Sequence, residues 1–178
     1  DSKNRDVQYS FDTVTNSEQI QFGSNTIKAI TTPGHTTDMT SYYIDNILFT
    51  GDSLFLNSIA RPDLEDPDKM QNMADDLYDS LQKILNLPEE TIIAPAHKFT
   101  DQPTDKFNHT FTETLQYVDN QIGLSESTKE EFIEDITKDV PPRPNNYSKI
   151  IPVNKGERQI SEDKEYELEM GPNNCSAS

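Results

Sequence analysis

The chain is predicted to fold as a layered α/β domain, and three observations carry the prediction. Short β-rich runs fill roughly the first fifty residues. A strand–helix–strand–helix order follows them. The apolar residues of the later segments recur at helical spacing rather than alternating.

The elements follow in order. Ile20 and Phe22 alternate with polar neighbours, and Phe22-Gly23-Ser24-Asn25-Thr26-Ile27 reads as a hairpin. Lys28-Ala29-Ile30 continues into the loop Thr32-Pro33-Gly34-His35-Thr36. Thr40 to Ile44 is a strand, turned by Asp45-Asn46 into Ile47-Leu48-Phe49-Thr50. Residues 57–69 form a loop rich in Pro and Asp. Met73, Leu77, Leu81 and Ile84 or Leu85 mark a helix that Pro88 closes. Thr91-Ile92-Ile93-Ala94 is a short buried strand leading into Pro95-Ala96-His97. Phe111, Leu115, Val118 and Ile122 mark a second helix, stopped near Gly123. Ser127-Thr128-Lys129-Glu130 reads as a capping box before a third helix with Phe132, Ile133 and Ile136. Pro141-Pro142-Arg143-Pro144 ends it, and from about Lys155 the chain is polar, acidic and expected to pack loosely. No helices precede the first strands, so one edge or face of the sheet is expected to lie bare.

Composition narrows the function. The 178 residues are only 32% hydrophobic and carry 32 acidic against 15 basic side chains, a formal charge of -17. Such a surface repels phosphates, which excludes nucleic acid as a partner. The acidity fits a salt-rich cytoplasm, where salt screens the repulsion, better than disorder, because helix and strand patterns persist throughout. Cys175 is the single cysteine, so no intrachain disulfide forms. No run approaches the roughly 18 apolar residues of a membrane span, and the N-terminus has no signal-peptide apolar core. A cytoplasmic location without membrane contact is therefore expected. The first residue is Asp1 rather than Met, and the chain is expected to begin inside something longer.

Three histidines are present: His35, His97 and His109. His35 and His97 each follow a strand, in loops whose Gly, Pro or Ala neighbours allow close approach. Asp52 also follows a strand, in Phe49-Thr50-Gly51-Asp52-Ser53. Three strand ends thus each present one ligand type suited to zinc, iron(II) or manganese, and two His with one carboxylate is a set used by non-haem iron(II). His109, at a helix start, reads as an ordinary surface residue.

The segments Thr32-Pro33-Gly34-His35-Thr36, Phe49-Thr50-Gly51-Asp52-Ser53-Leu54-Phe55 and Pro95-Ala96-His97 together resemble the metallo-β-lactamase superfamily. The likeness is to its glyoxalase II and persulfide dioxygenase branch. Arg61-Pro62-Asp63-Leu64 resembles that branch's G-R-x-D loop. Leu77-Tyr78-Asp79-Ser80-Leu81 and Leu87-Pro88-Glu89-Glu90-Thr91 resemble the helix and turn before its last histidine. Pro141 to Tyr147 and Gly171 to Cys175 resemble the tails of salt-adapted archaeal members, some of which carry a rhodanese domain.

The resemblance implies the C-terminal part of an αββα sandwich, with residues 1–154 a partial metallo-β-lactamase-like domain and 155–178 an acidic tail. It implies His35 as a metal ligand, and Asp52 as the ligand that bridges two metals or binds one iron. His97 would be a second-metal ligand in the hydrolases and a neighbour of the site in the mono-iron enzymes. Arg61 and Asp63 would orient the site or contact substrate, or else pin their loop as a salt bridge. Tyr147 and Cys175 read as packing and tail residues. The implied cofactor is iron(II) or zinc, and the implied substrate a small thiol derivative, either a persulfide or a thioester. The Arg61-Pro62-Asp63 loop leans toward the persulfide form.

The sequence also departs from the family. Residues 1–34 contain no His, so the family's upstream H-x-H-x-D-H block is absent from this stretch. Asp38 and Ala60 stand where the family often has Gly. Asp38 is expected either to add charge near the pocket or to face solvent. Two or three protein ligands remain, which is thin for tight metal binding. The implied partner is therefore a complementing N-terminal half, or a rhodanese-like domain. The alternative to an enzyme is a non-catalytic fragment that needs that half.

Overall fold

Two hairpins build most of a single mixed sheet. Strand β1 (Gln19–Phe22) pairs antiparallel with β2 (Asn25–Thr31), and β2 with β3 (Thr40–Ile44). Strand β3 turns into β4 (Ile47–Gly51) through Asp45 and Asn46, both at positive φ (47° and 66°). That double left-handed turn matches the twist of the flanking strands, and Asp and Asn tolerate it. Strand β5 (Ile92–Pro95) lies parallel to β4, and the short β6 (Glu113–Thr114) closes the order β1-β2-β3-β4-β5-β6. The computed structural model describes residues 7–97, 111–143 and 146–170.

A parallel β4–β5 pair needs a crossover, which α1 (Met70–Leu85) supplies. A 3-10 turn at Pro67–Lys69, capped by the Asp66 carboxylate, leads into it. Ala74, Leu77, Leu81 and Ile84 bury one stripe of α1 in a common core with the fully buried Leu48 and Ile93 of the sheet, and Met73 is buried as well. Each of the buried Leu, Ile and Met side chains contributes roughly 1.5–3 kcal/mol by burial. Helix α3 (Lys129–Lys138) packs on α1, with Phe132 edge-on to Tyr78 at 5.4 Å between ring centres. The other sheet face differs. Strand alternation and register place Ile27, Tyr42, Ile44, Ile47, Phe49 and Ile92 on it, and none of the side chains it receives is charged. Tyr42 and Phe49, directly opposite each other, are exposed, and the four isoleucines are only partly buried.

Two expectations shift by a residue or more. The second helix, α2, runs Leu115–Ile122 and leaves out Phe111. Thr114 is extended and caps the helix by accepting from Tyr117 N–H, while residues 113–114 pair with β5 instead. The capping box of α3 joins Thr128 to Glu131, not Ser127 to Glu130. The Ser127 hydroxyl instead donates to the Gly123 carbonyl at 3.0 Å.

The described residues form two compact units. One is Val14–Val140, the sheet with α1 to α3. The other contains residues 7–13 and 141–170, with α4 (Tyr147–Asn154) and α5 (Glu162–Met170). Within this second unit Gln8 N–H donates to the Lys155 carbonyl (2.8 Å), Tyr9 Oη donates to the Asn154 carbonyl (3.0 Å), and Arg143 lies 5.2 Å over the Tyr147 ring. Helix α5 falls where only a loose tail was expected. Its residues show no apolar face, and Tyr166 is exposed, so periodicity gave no signal there. Among the described residues no helix is long and apolar enough to cross a membrane.

Candidate metal centre

Strand direction explains how three distant residues meet. Strands β2, β4 and β5 all run the same way, with β3 reversed between β2 and β4. Their C-terminal ends therefore lie along one edge, and His35, Asp52 and His97 follow those three ends. Loops at the C-terminal ends of strands are the usual place for a site in open α/β sheets.

His35 is buried, and its Nδ1 lies 3.0 Å from the Arg61 carbonyl. A carbonyl only accepts, so Nδ1 carries the proton and donates. In the neutral ring this leaves a lone pair on Nε2, which stands 3.8 Å from Asp52 Oδ2. The other carboxylate oxygen of Asp52 accepts from His97 Nδ1. The two rings are driven in opposite directions. Burial, opposed by the Asp52 charge, pushes His35 below the ordinary histidine value. The hydrogen bond to Asp52 raises His97, which is more exposed.

The loops are fixed from several sides. Gly34 (φ 142°) lies so close to α1 that a Cβ there would come within 2.4 Å of Leu77 Cβ. Ser80 Oγ donates to the Pro33 carbonyl at 2.8 Å. Glu65 accepts from both Thr37 N–H (2.6 Å) and Thr37 Oγ1 (3.1 Å), tying the loop after His35 to the loop after Arg61. Arg61 is fully buried, with Nε and Nη2 on the two Asp63 oxygens at 2.7 and 2.9 Å. Of the roles expected for this pair, the pinning salt bridge is present, and the Arg61 side chain is fully buried. Asp38 is exposed and accepts from Thr36 Oγ1 at 2.9 Å, whereas Ala60 is fully buried. His109 and Cys175 lie outside the described residues, and Tyr147 belongs to the other unit. Glu65 and Ser80 carry no signal in the sequence that marks them as supports. Only Gly34, beside Pro33 and His35, carries a local signal.

The sequence pattern of the metallo-beta-lactamase superfamily matches residues 6–97, just over half of the 178 residues. The chain belongs to that superfamily. Glyoxylase B2 of Dictyostelium discoideum is 34% identical over 123 residues, which are 67% of this chain and 40% of that protein. The hydroxyacylglutathione hydrolase of Bartonella henselae is 39% identical over 100 residues, 55% of this chain and 35% of that one. The crystal structure of a metallo-beta-lactamase from Staphylococcus aureus subsp. aureus COL superposes with TM-score 0.71 at 25% identity, covering 84% of this chain and 45% of that one. ETHE1 from Myxococcus xanthus superposes with TM-score 0.68 at 27% identity, covering 80% of this chain and 58% of that one. The chain spans about two fifths of the length of its first curated relatives. These matches agree with the expected glyoxalase II and persulfide dioxygenase branch.

Members of the family are metal-dependent. Two ligands on one ion at about 2.0–2.2 Å each stand no more than about 4.4 Å apart, so the 3.8 Å between His35 Nε2 and Asp52 Oδ2 fits a shared ion. The His35 tautomer fits as well, since a ligating ring donates its other N–H to a carbonyl or carboxylate. Among the described residues, however, no group of three or more His, Cys, Asp or Glu side chains is set to hold a metal.

Proposed function

We propose that this chain supplies one wall of a metal-dependent active site acting on a small thiol-derived substrate. The observation that carries the reading is His35, with Nδ1 anchored and Nε2 free, converging on Asp52 at the C-terminal edge of the sheet. His35 and Asp52 are the ligands. His97 holds the second Asp52 oxygen and is the candidate for a second-metal ligand. The bound metal supplies Lewis-acid activation of water or of a sulfur substrate. The chain's own residues do the rest: Arg61 fixes the His35 ring through its carbonyl, and Asp63 holds Arg61. Thioester hydrolysis is supported by the curated relatives named hydroxyacylglutathione hydrolase, for which zinc is the family's metal, and iron(II) with persulfide oxidation by the Arg61-Pro62-Asp63 loop.

Elemental mass spectrometry of the purified chain tests this. Iron in the chain would support the persulfide form and zinc the thioester form, and a metal-free chain would mean that His35, Asp52 and His97 lack the partners to hold one. Asp52→Ala is expected to abolish the metal, and His109→Ala to leave it unchanged. Equal loss in both variants would place the site elsewhere.

A second reading, that the chain is inactive until a complementing half joins it, is favoured by the uncharged sheet face. A sheet buries an apolar face against another layer, and a second sheet is the partner such a face fits. The chain alone is expected to bind an apolar dye or self-associate, and Phe49→Lys to reduce both effects severalfold. A wild-type chain that is monomeric and binds no dye would count against this reading.

A further inference from the structure

We infer that the buried hydroxyls of Thr32, Ser41 and Ser53, ending on the Thr50 carbonyl, form a positioning relay that sets the separation of His35 and Asp52. The inference rests on the proposed metal site and concerns what holds its two ligands in register.

Strand pairing alone cannot do this. Strands β2 and β4 are not neighbours, because β3 lies between them. The strand register ends at Thr31↔Thr40 on one side of β3, beyond which Thr32 N–H donates to the Met39 carbonyl at 2.9 Å, and at Tyr42↔Phe49 on the other. Among the described residues no backbone hydrogen bond joins residues 32–36 to residues 50–54. Side chains make the connection. Ser53 Oγ lies 2.9 Å from Thr32 Oγ1 and 3.3 Å from the Thr32 carbonyl. Thr32 Oγ1 lies 3.0 Å from Ser41 Oγ, and Ser41 Oγ lies 3.4 Å from the Thr50 carbonyl. Thr50 Oγ1 donates to the Leu54 carbonyl at 2.7 Å.

Each hydroxyl has one proton, which fixes the direction. Ser41 gives its proton to the Thr50 carbonyl, which cannot donate. Thr32 then gives its proton to Ser41, and Ser53 gives its proton to Thr32. Every proton is used once, and all three side chains are fully buried. No water is needed to complete the run. Thr32 lies three residues before His35, and Ser53 directly follows Asp52. The relay therefore ties the two ligand loops across the strand between them. A buried network with every member satisfied rigidifies its surroundings, and losing one member leaves its neighbours unpaired.

The test compares Thr32→Val, which keeps the shape and removes the hydroxyl, with Thr32→Ser, which keeps the hydroxyl. Two quantities are measured on the 178-residue chain. One is NMR relaxation dispersion of the backbone amides, and the other is zinc affinity by competition with a chromophoric chelator. Thr32→Val is expected to produce exchange broadening confined to residues 34–36 and 51–54, and to weaken zinc binding by about 10-fold. Thr32→Ser is expected to match the wild type in both. Ser53→Ala, which costs Thr32 only an acceptor contact, is expected to reproduce the Thr32→Val pattern while keeping the fold. Broadening spread evenly over the sheet, or quiet loops in both Thr32→Val and Ser53→Ala, would overturn the relay. If the wild type binds no zinc, the metal reading fails while the amide measurement still decides the relay.

Discussion

Gly34→Ala is expected to destabilise the protein by about 2–6 kcal/mol, a large share of a typical domain's stability. Two costs combine at this position. Its φ of 142° lies where side-chain-bearing residues rarely sit, a strain of order 1–3 kcal/mol. The added Cβ would also stand 2.5 Å from Leu77 Cα and 2.4 Å from Leu77 Cβ. These atoms belong to the backbone and root of a packed helix, not to the flexible end of a side chain. Overpacking of this kind costs roughly another 1–3 kcal/mol, because α1 must move. The contrast with Gly23 makes the argument specific. Gly23 also has positive φ (59°), but a Cβ there meets nothing within 4 Å. Gly23→Ala is expected to cost only about 1 kcal/mol, from the backbone alone. Urea titrations of the two variants check this, and similar midpoints would mean that the approach to Leu77 is relieved without cost.

The same position shows which parts of the site were legible in the sequence. His35, Asp52 and His97 could be placed because each follows a β-rich run and sits among small residues. The Asp45-Asn46 turn fixed the hairpin between β3 and β4, and with it the strand directions that bring the ligands to one edge. The supports were not legible. Glu65 reaches Thr37 across 28 positions, and Ser53 reaches Thr32 across 21. A lone Glu, Ser or Thr has no period or spacing to mark it, since its partner is set only by how loops stack at the strand ends. The α2 start was misplaced for a related reason. Phe111 continues the helical spacing of Leu115 and Val118, but Thr114 can cap and the 113–114 segment can pair with β5, and tertiary pairing overrode the pattern. The capping box shifted because Thr128 with Glu131 and Ser127 with Glu130 fit the motif equally, and the Gly123 carbonyl claimed the Ser127 hydroxyl.

Arg61→Met is expected to cost about 3–5 kcal/mol, comparable to Gly34→Ala but by electrostatics rather than sterics. The guanidinium is fully buried and forms two parallel hydrogen bonds with a carboxylate that is nearly so. Removing it takes from the nearly buried Asp63 carboxylate the cation that makes two hydrogen bonds to it. Removing Asp63 instead, as Asp63→Leu, takes from the buried guanidinium the carboxylate that accepts two of its hydrogen bonds. The double variant Arg61→Met/Asp63→Leu removes both charges, and it is expected to be more stable than either single variant, because an apolar pair of similar volume avoids the desolvation cost. The effect on the site separates stability from positioning. The Arg61 contact with His35 comes from its backbone carbonyl, which survives every substitution, so only the loop's position can change. If the ion pair serves the site by fixing that carbonyl, the double variant regains stability but not the wild-type zinc affinity. Equal recovery of both would show that loop packing alone holds the His35 ring, and an Arg61→Met protein within about 1 kcal/mol of wild type would show that the buried pair contributes little.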